Sequence, residues 1–198
     1  MRTIFQNCTL LDGTEQMSPR PGTDVAIEND KIVQIGKITP NKGDRVVDLT
    51  GKYLMPGLIN LHVHLPAGGK PRNKPMNTNR LTKIALSSGL SRALVLRMCH
   101  AYVMQGLLSG VTTVRAVGGL DDLDTRLRDR IHAGKLDGPR ILAANYAIGV
   151  PHGHMVGSVT HPAEIVEDAV RMVDQLHGQN VDLIKLMITG GVMDAKVK

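Results

Sequence analysis

From Pro56 onward, short apolar runs alternate with longer amphipathic stretches, and this constrains the fold more than any other feature. The runs are "GLINLHVHL" at 57–65, "GVTTVRAV" at 110–117, "RILAANYAI" at 140–148 and "VDLIKLMI" at 181–188. Helical patterns fill the gaps over about 82–108, over about 120–133, and from near Thr160. Thr160 reads as an N-cap with Pro162 in the first turn. The apolar face of that helix is Ile165, Ala169, Met172, Val173 and Leu176. Short apolar strands separated by helices are expected to run parallel and to be buried on both faces. The order β-α-β-α-β-α-β, without a return hairpin, suits an open α/β sheet or a (β/α)8 barrel. A nucleotide-binding fold is the weaker rival. Gly118-Gly119 is no G-x-G-x-x-G fingerprint, and no Gly-Lys-Ser/Thr phosphate loop occurs.

Residues 1–54 follow a different grammar. "TIFQNCTLL" is strand-like, Asp12-Gly13 is a turn signal, and "DVAIENDKIVQIG" divides at Asn29-Asp30 as a hairpin. "RVVDL" adds a short strand before Pro56-Gly57. The chain is therefore expected to divide into a β segment at 1–55 and an α/β segment at 56–198.

Composition narrows the function classes. Hydrophobic residues make up 42% of 198, ample for a core, but the aromatics are only Phe5, Tyr53, Tyr102 and Tyr146. The core is thus aliphatic, and the ten methionines read as packing residues. The net charge of +6 owes something to Lys70, Arg72, Lys74, Arg80 and Lys83. No aromatics interleave with them, so a solvated loop is expected rather than a nucleic-acid surface. Cys8 and Cys99 give neither a disulfide framework nor a metal spacing, and fit a reducing compartment. No run approaches the roughly 18–20 apolar residues of a membrane helix. A cytoplasmic protein without membrane or nucleic-acid partners is the expectation, with oligomeric state open and a homo-oligomer included.

Chemistry concentrates in two places. His62 and His64 lie two apart at the end of the first apolar run, and residues i and i+2 of a strand share a face. Both imidazoles could therefore reach one metal ion, at the strand end where sites of such folds assemble. The alternative is two imidazoles hydrogen-bonded at a strand end. The second place is Lys185, alone among Leu, Ile, Leu, Met and Ile. A buried lysine must be neutralised, paired or modified. It could become a carbamate bridging two metals, form a Schiff base, or make a plain salt bridge. The loop "PHGHMVG" at 151–157 holds a second H-x-H, His152-Gly153-His154, in which His154 could orient a substrate.

Taken together, "GKYLMPGLINLHVHL", "SGVTTVRAVGG", "GPRIL", the Gly-His loop and "DLIKLMITGGV" resemble the amidohydrolase superfamily. The similarity is to its imidazolonepropionase and prolidase-like branch and runs in order over nearly the whole chain. The resemblance implies a TIM-type (β/α)8 barrel with a small β-sandwich beside it, here represented by about the first four β/α units and the N-terminal sandwich segment. It implies one or two divalent metal ions, commonly zinc, whose hydroxide attacks the carbonyl of a small amide or dipeptide-like substrate. His62 and His64 would bind one metal, and carboxylated Lys185 would bridge to a second. Asn60 stands where the family often has Asp, as does Ala116 after "TTVR"; both are expected to tune function. Two later histidines and a proton-shuttling aspartate of the family have no counterpart here. The chain is therefore expected to be the N-terminal half of a longer enzyme, inactive alone. The rivals are a non-catalytic half-barrel that needs a partner chain, and a Schiff-base lyase using Lys185.

Overall fold

The computed structural model describes residues 1–69 and 77–190. The basic positions Lys70, Arg72 and Lys74 lie outside them. Two compact units emerge, Met1–Pro56 and Gly57–Lys198.

The first unit is all β. β1 (Thr3–Leu10), β2 (Arg20–Glu28) and β3 (Lys31–Gly36) form an antiparallel meander. The expected hairpin is present, with Asn29 and Asp30 both at positive φ, 48° and 63°. That backbone is what a two-residue turn needs to match the strand twist. β4 (Arg45–Asp48) and β5 (Tyr53–Leu54) add to the other edge of β1 in parallel. Ile4, Cys8, Val25 and Ala26 are buried, as is Asp24, whose carboxylate accepts the N–H groups of Asn7 and Ile38, each at 2.9 Å.

The second unit is mixed α/β and all its strand pairs are parallel. Its elements are β6 (Leu58–Val63), α1 (Thr78–Leu86), α2 (Gly89–Leu108), β7 (Val111–Ala116), α3 (Leu123–His132), β8 (Arg140–Leu142), β9 (Ala147–Gly149), β10 (Thr160–Pro162), α4 (Val166–Gly178) and β11 (Leu186–Met187). One sheet runs β6-β7-β8 and the other β10-β9-β11. The helix expected over 82–108 is in fact two. Ser88 interrupts it with a reciprocal capping box to Ser91, giving α2 a separate start.

Three further expectations are corrected. "RILAANYAI" is not one strand: it breaks between β8 and β9, where Asn145 adopts φ 58°. β8 pairs with β7, whereas β9 pairs with β11, so the break transfers the chain from one sheet to the other. Thr160 caps no helix. It lies in β10, fully buried, its hydroxyl donating to Met187 Sδ at 3.0 Å, and α4 begins only at Val166. Its buried side is Leu176 with Ala169 and Met172 packed nearby, while Ile165 and Val173 are exposed. Finally, the strands are not all buried on both faces. Ile59 and Leu61 of β6, Leu186 of β11 and the adjoining Ile188 are 54–73% exposed.

The core of this unit sits between α2, α3 and the strands, around Leu96, Cys99, Val114, Ala116, Leu127 and Ile141. Ala116 is completely buried there. Among the described residues no helix is long and apolar enough to cross a membrane.

Candidate functional site

β6 carries His62 next to an irregularity in its pairing with β7. Asn60 pairs with Val114 and Val63 with Ala116, so three steps on β6 match two on β7. The extra residue is a β-bulge at Leu61–His62. A bulge strands backbone groups that must find other partners. Here the Asn60 carboxamide oxygen accepts the His62 N–H at 3.1 Å, and Arg115 Nε donates to the Leu61 carbonyl at 2.7 Å. His64 follows the strand, its ring 5.4 Å from that of His62, edge to face at 66°.

His64 Nδ1 lies 2.8 Å from the carbonyl oxygen of Gly118 in the loop after β7. A carbonyl only accepts, so Nδ1 carries a proton, and in the neutral ring Nε2 keeps its lone pair. Gly118 has φ 134°, and a Cβ added there would stand 3.2 Å from His64 Nδ1. The position thus needs glycine both for its backbone and for its closeness to the ring.

Both histidines line a cleft of about 280 Å3 together with Lys185, His154 and residues 186–190. Lys185 is half-buried rather than enclosed and stands immediately before β11, with its carbonyl accepting the Ile148 N–H at 2.9 Å. The His154 N–H donates to the Thr189 carbonyl at 3.2 Å, tying the loop to the segment after β11. His152, exposed at φ 59°, is not among the residues lining the cleft, so the second H-x-H makes no paired site.

The electrostatics are those of a cationic cleft. His62 is held below the ordinary imidazole pKa by desolvation first, and then by the repulsion its protonated form would meet from His64, were that ring also protonated, and from Lys185 and Arg115. A neutral imidazole is the form that ligates metal. Two imidazoles, one with Nε2 free and its other nitrogen anchored to a carbonyl, match the donor chemistry of a divalent metal site. Among the described residues no three His, Cys, Asp or Glu side chains converge. Lys185 also lines the cleft, and its ammonium would repel a metal ion. Carboxylation would reverse that sign.

The sequence reading brought His62, His64, Lys185 and His154 forward and they do share the cleft. It missed Arg115 and the Gly118 carbonyl. An arginine inside the apolar run "GVTTVRAV" was a visible signal for the first; nothing in the sequence marked the second.

A family model described as "Amidohydrolase family" matches residues 53–198. Among curated proteins, a 5-methylthioadenosine/S-adenosylhomocysteine deaminase from Thermoanaerobacter pseudethanolicus is 44% identical over 66 residues, 33% of this chain and 15% of that protein. Among solved structures, a protein described as a prolidase from Bifidobacterium longum matches with TM-score 0.75 and 27% identity, covering 99% of this chain and 43% of its own. A Xaa-Pro dipeptidase matches with TM-score 0.73 and 26% identity over 97% of this chain and 48% of its own. The chain therefore spans about half the length of the solved structures it resembles.

Proposed function

We propose, on the premise that the chain belongs to the amidohydrolase family, that it forms the first metal-binding portion of a hydrolase acting on C–N bonds. The observation that carries this reading is the convergence of His62, His64 and Lys185 on one cleft. In it, His62 and His64 would hold a divalent metal, zinc being the first candidate, and Lys185 would contribute as a carbamate. The Lys185 ammonium would first lose a proton, and the neutral amine would then add CO2 and release a second, so that a repelling cation becomes an anionic oxygen donor. The chemistry such an ion would supply is a lowered pKa for a bound water and polarisation of a carbonyl oxygen. Gly118 keeps His64 in the tautomer that leaves Nε2 available. Arg115 and Asn60 hold the bulge that presents His62. His154, which also lines the cleft, would contact the substrate.

The substrate class we favour is a small amide or dipeptide-like molecule, supported by the prolidase and dipeptidase likenesses. The architecture we favour is the first four β/α units of a TIM-type barrel, with the β unit as part of a sandwich. The exposed Ile59, Leu61, Leu186 and Ile188 favour a second reading, in which this portion gains activity only when further strands cover those edges.

Elemental analysis of purified chain after zinc loading tests the proposal, alongside His62→Asn and Lys185→Ala. Near-stoichiometric metal that falls in both variants is the expected result. Folded wild-type chain retaining no more metal than a His62→Asn/Lys185→Ala double variant would overturn it. Loading with 13C-bicarbonate should add a carbamate carbon signal that Lys185→Ala lacks. Borohydride trapping of substrate on Lys185 would instead point to Schiff-base chemistry.

A further inference from the structure

Asp124, in the first turn of α3, is 1% exposed, and its Oδ2 is a buried oxygen with no hydrogen-bond partner among the described residues. Such a carboxyl is costly, which prompts the question of what it holds. The backbone N–H of Asn145 faces it and favours its ionised form. It also packs so closely over Gly119 that a Cβ there would coincide with its oxygens.

Asn145 is fully buried, and its side chain is satisfied at both ends. Its Oδ1 accepts the Thr125 N–H at 3.0 Å, while Nδ2 donates to Thr125 Oγ1 at 3.2 Å and Gln179 Oε1 at 2.7 Å. α3 and the residue after α4 thereby fix the left-handed turn between β8 and β9. The Asn145 carbonyl, aimed by that turn, accepts the Gly119 N–H at 2.6 Å.

The N–H of Gly119 and the C=O of Gly118 belong to one peptide group, and in a trans peptide they point in opposite directions. One side of this plane is gripped by Asn145, and the other meets His64 Nδ1 at 2.8 Å. Two flanking glycines leave the plane free to rotate unless something holds it. We propose that Asn145, braced by Asp124, is a positioning residue for His64: by fixing the Gly118–Gly119 peptide it selects the Nδ1–H tautomer and directs Nε2 into the cleft. Neither residue lines the cleft. The consequence for metal binding rests on the reading of His64 as a ligand, but the tautomer does not.

The test is 15N NMR of the His64 ring in metal-free chain, with a Co2+ titration run in parallel. Asp124→Ala removes the brace. Asn145→Gly keeps the backbone conformation, removes the side-chain anchors, and carries the test should Asp124→Ala fail to fold. Asp124→Asn retains an acceptor for the Asn145 N–H. In folded Asp124→Ala and Asn145→Gly, His64 should pass from one tautomer to a mixture, and Co2+ affinity should fall about 10–100-fold, as second-shell losses do. Asp124→Asn should restore both. A single Nδ1–H tautomer in the folded Asn145→Gly variant would overturn the proposal. A wild-type chain that binds no Co2+ while its variants lose the tautomer would uphold the positioning role and defeat the metal reading instead.

Discussion

The carbonyl of Gly118 accepts the Nδ1 proton of His64 at 2.8 Å, so a residue in the loop after the second parallel strand decides which nitrogen the first strand's histidine offers. The relationship runs between positions 54 apart in sequence, and it makes the loop as much a part of the site as the H-x-H pair.

Gly118→Ala should damage the site without removing any of its side chains. The new methyl would need φ 134° and would stand 3.2 Å from His64 Nδ1 and 3.4 Å from Met187 Cε. A cost of about 1–3 kcal/mol in folding is expected from the backbone alone, with a metal affinity loss of about 10–100-fold. Urea unfolding and Co2+ titration measure the two separately; unchanged Co2+ affinity would show that the Gly118 carbonyl does not matter to His64.

Asp124 gives the fold a pH dependence of unusual sign for a carboxylate. Burial pushes its pKa up to about 7, against the smaller opposing effect of the Asn145 N–H. Its unfolded value is about 3.9. Between these the folded chain binds the proton more tightly, so this contribution is fully present below about pH 4 and is lost as pH rises through about 7. Denaturation midpoints from about pH 4.5 to 8 should therefore decline more steeply in wild type than in Asp124→Asn. Parallel curves for the two proteins would disprove it.

Asp182 links the start of the fourth run to the third. Its Oδ2 accepts the Ala143 N–H and Arg128 Nη1, each at 2.8 Å, and Arg128 also donates to the Asn180 carbonyl at 2.8 Å. Ala143 is fully buried, so Asp182→Ala leaves its N–H without that acceptor. A loss of about 1–3 kcal/mol is expected, with faster amide exchange at Ala143. Asp182→Asn, which keeps one oxygen, should recover part of it.

The exposed apolar edges should make the chain, taken alone, associate. Ile59 is 64% exposed and Ile188 73%, beside strands whose outer hydrogen-bonding edges are unpaired among the described residues. Ile188→Lys and Leu61→Lys should each reduce hydrophobic-dye binding and lower the mass seen by sedimentation. Wild-type chain that is monomeric and binds no dye would contradict this.

The alternation of runs and helices was legible because parallel strands and amphipathic helices leave opposite periodicities, and the Asn29-Asp30 hairpin because its turn residues are specific. Boundaries failed wherever one side chain overrode a pattern. Ser88 ended a helix that apolar periodicity carried through, and Asn145 broke a strand whose apolar run showed no interruption beyond Asn145 itself. The Thr160 helix start failed because a buried hydroxyl can be satisfied by a core sulfur as well as by a helix N-terminus. His62, His64, Lys185 and His154 were visible as chemistry out of place in apolar or loop segments. The peptide plane of Gly118–Gly119 was not, since backbone orientation leaves no residue type behind.

The bulge at Leu61–His62 bears on how such a site could be moved to another scaffold. Copying His-x-His onto an ordinary strand would transplant two side chains but not the extra residue between the pairings of Asn60 and Val63. Without Asn60 and Arg115 to take up the Leu61 and His62 backbone groups, the host strand would relax to regular pairing and His62 would shift in register. The smallest portable unit is therefore a pair of neighbouring strands, with the loop that follows the second, and not a three-letter motif.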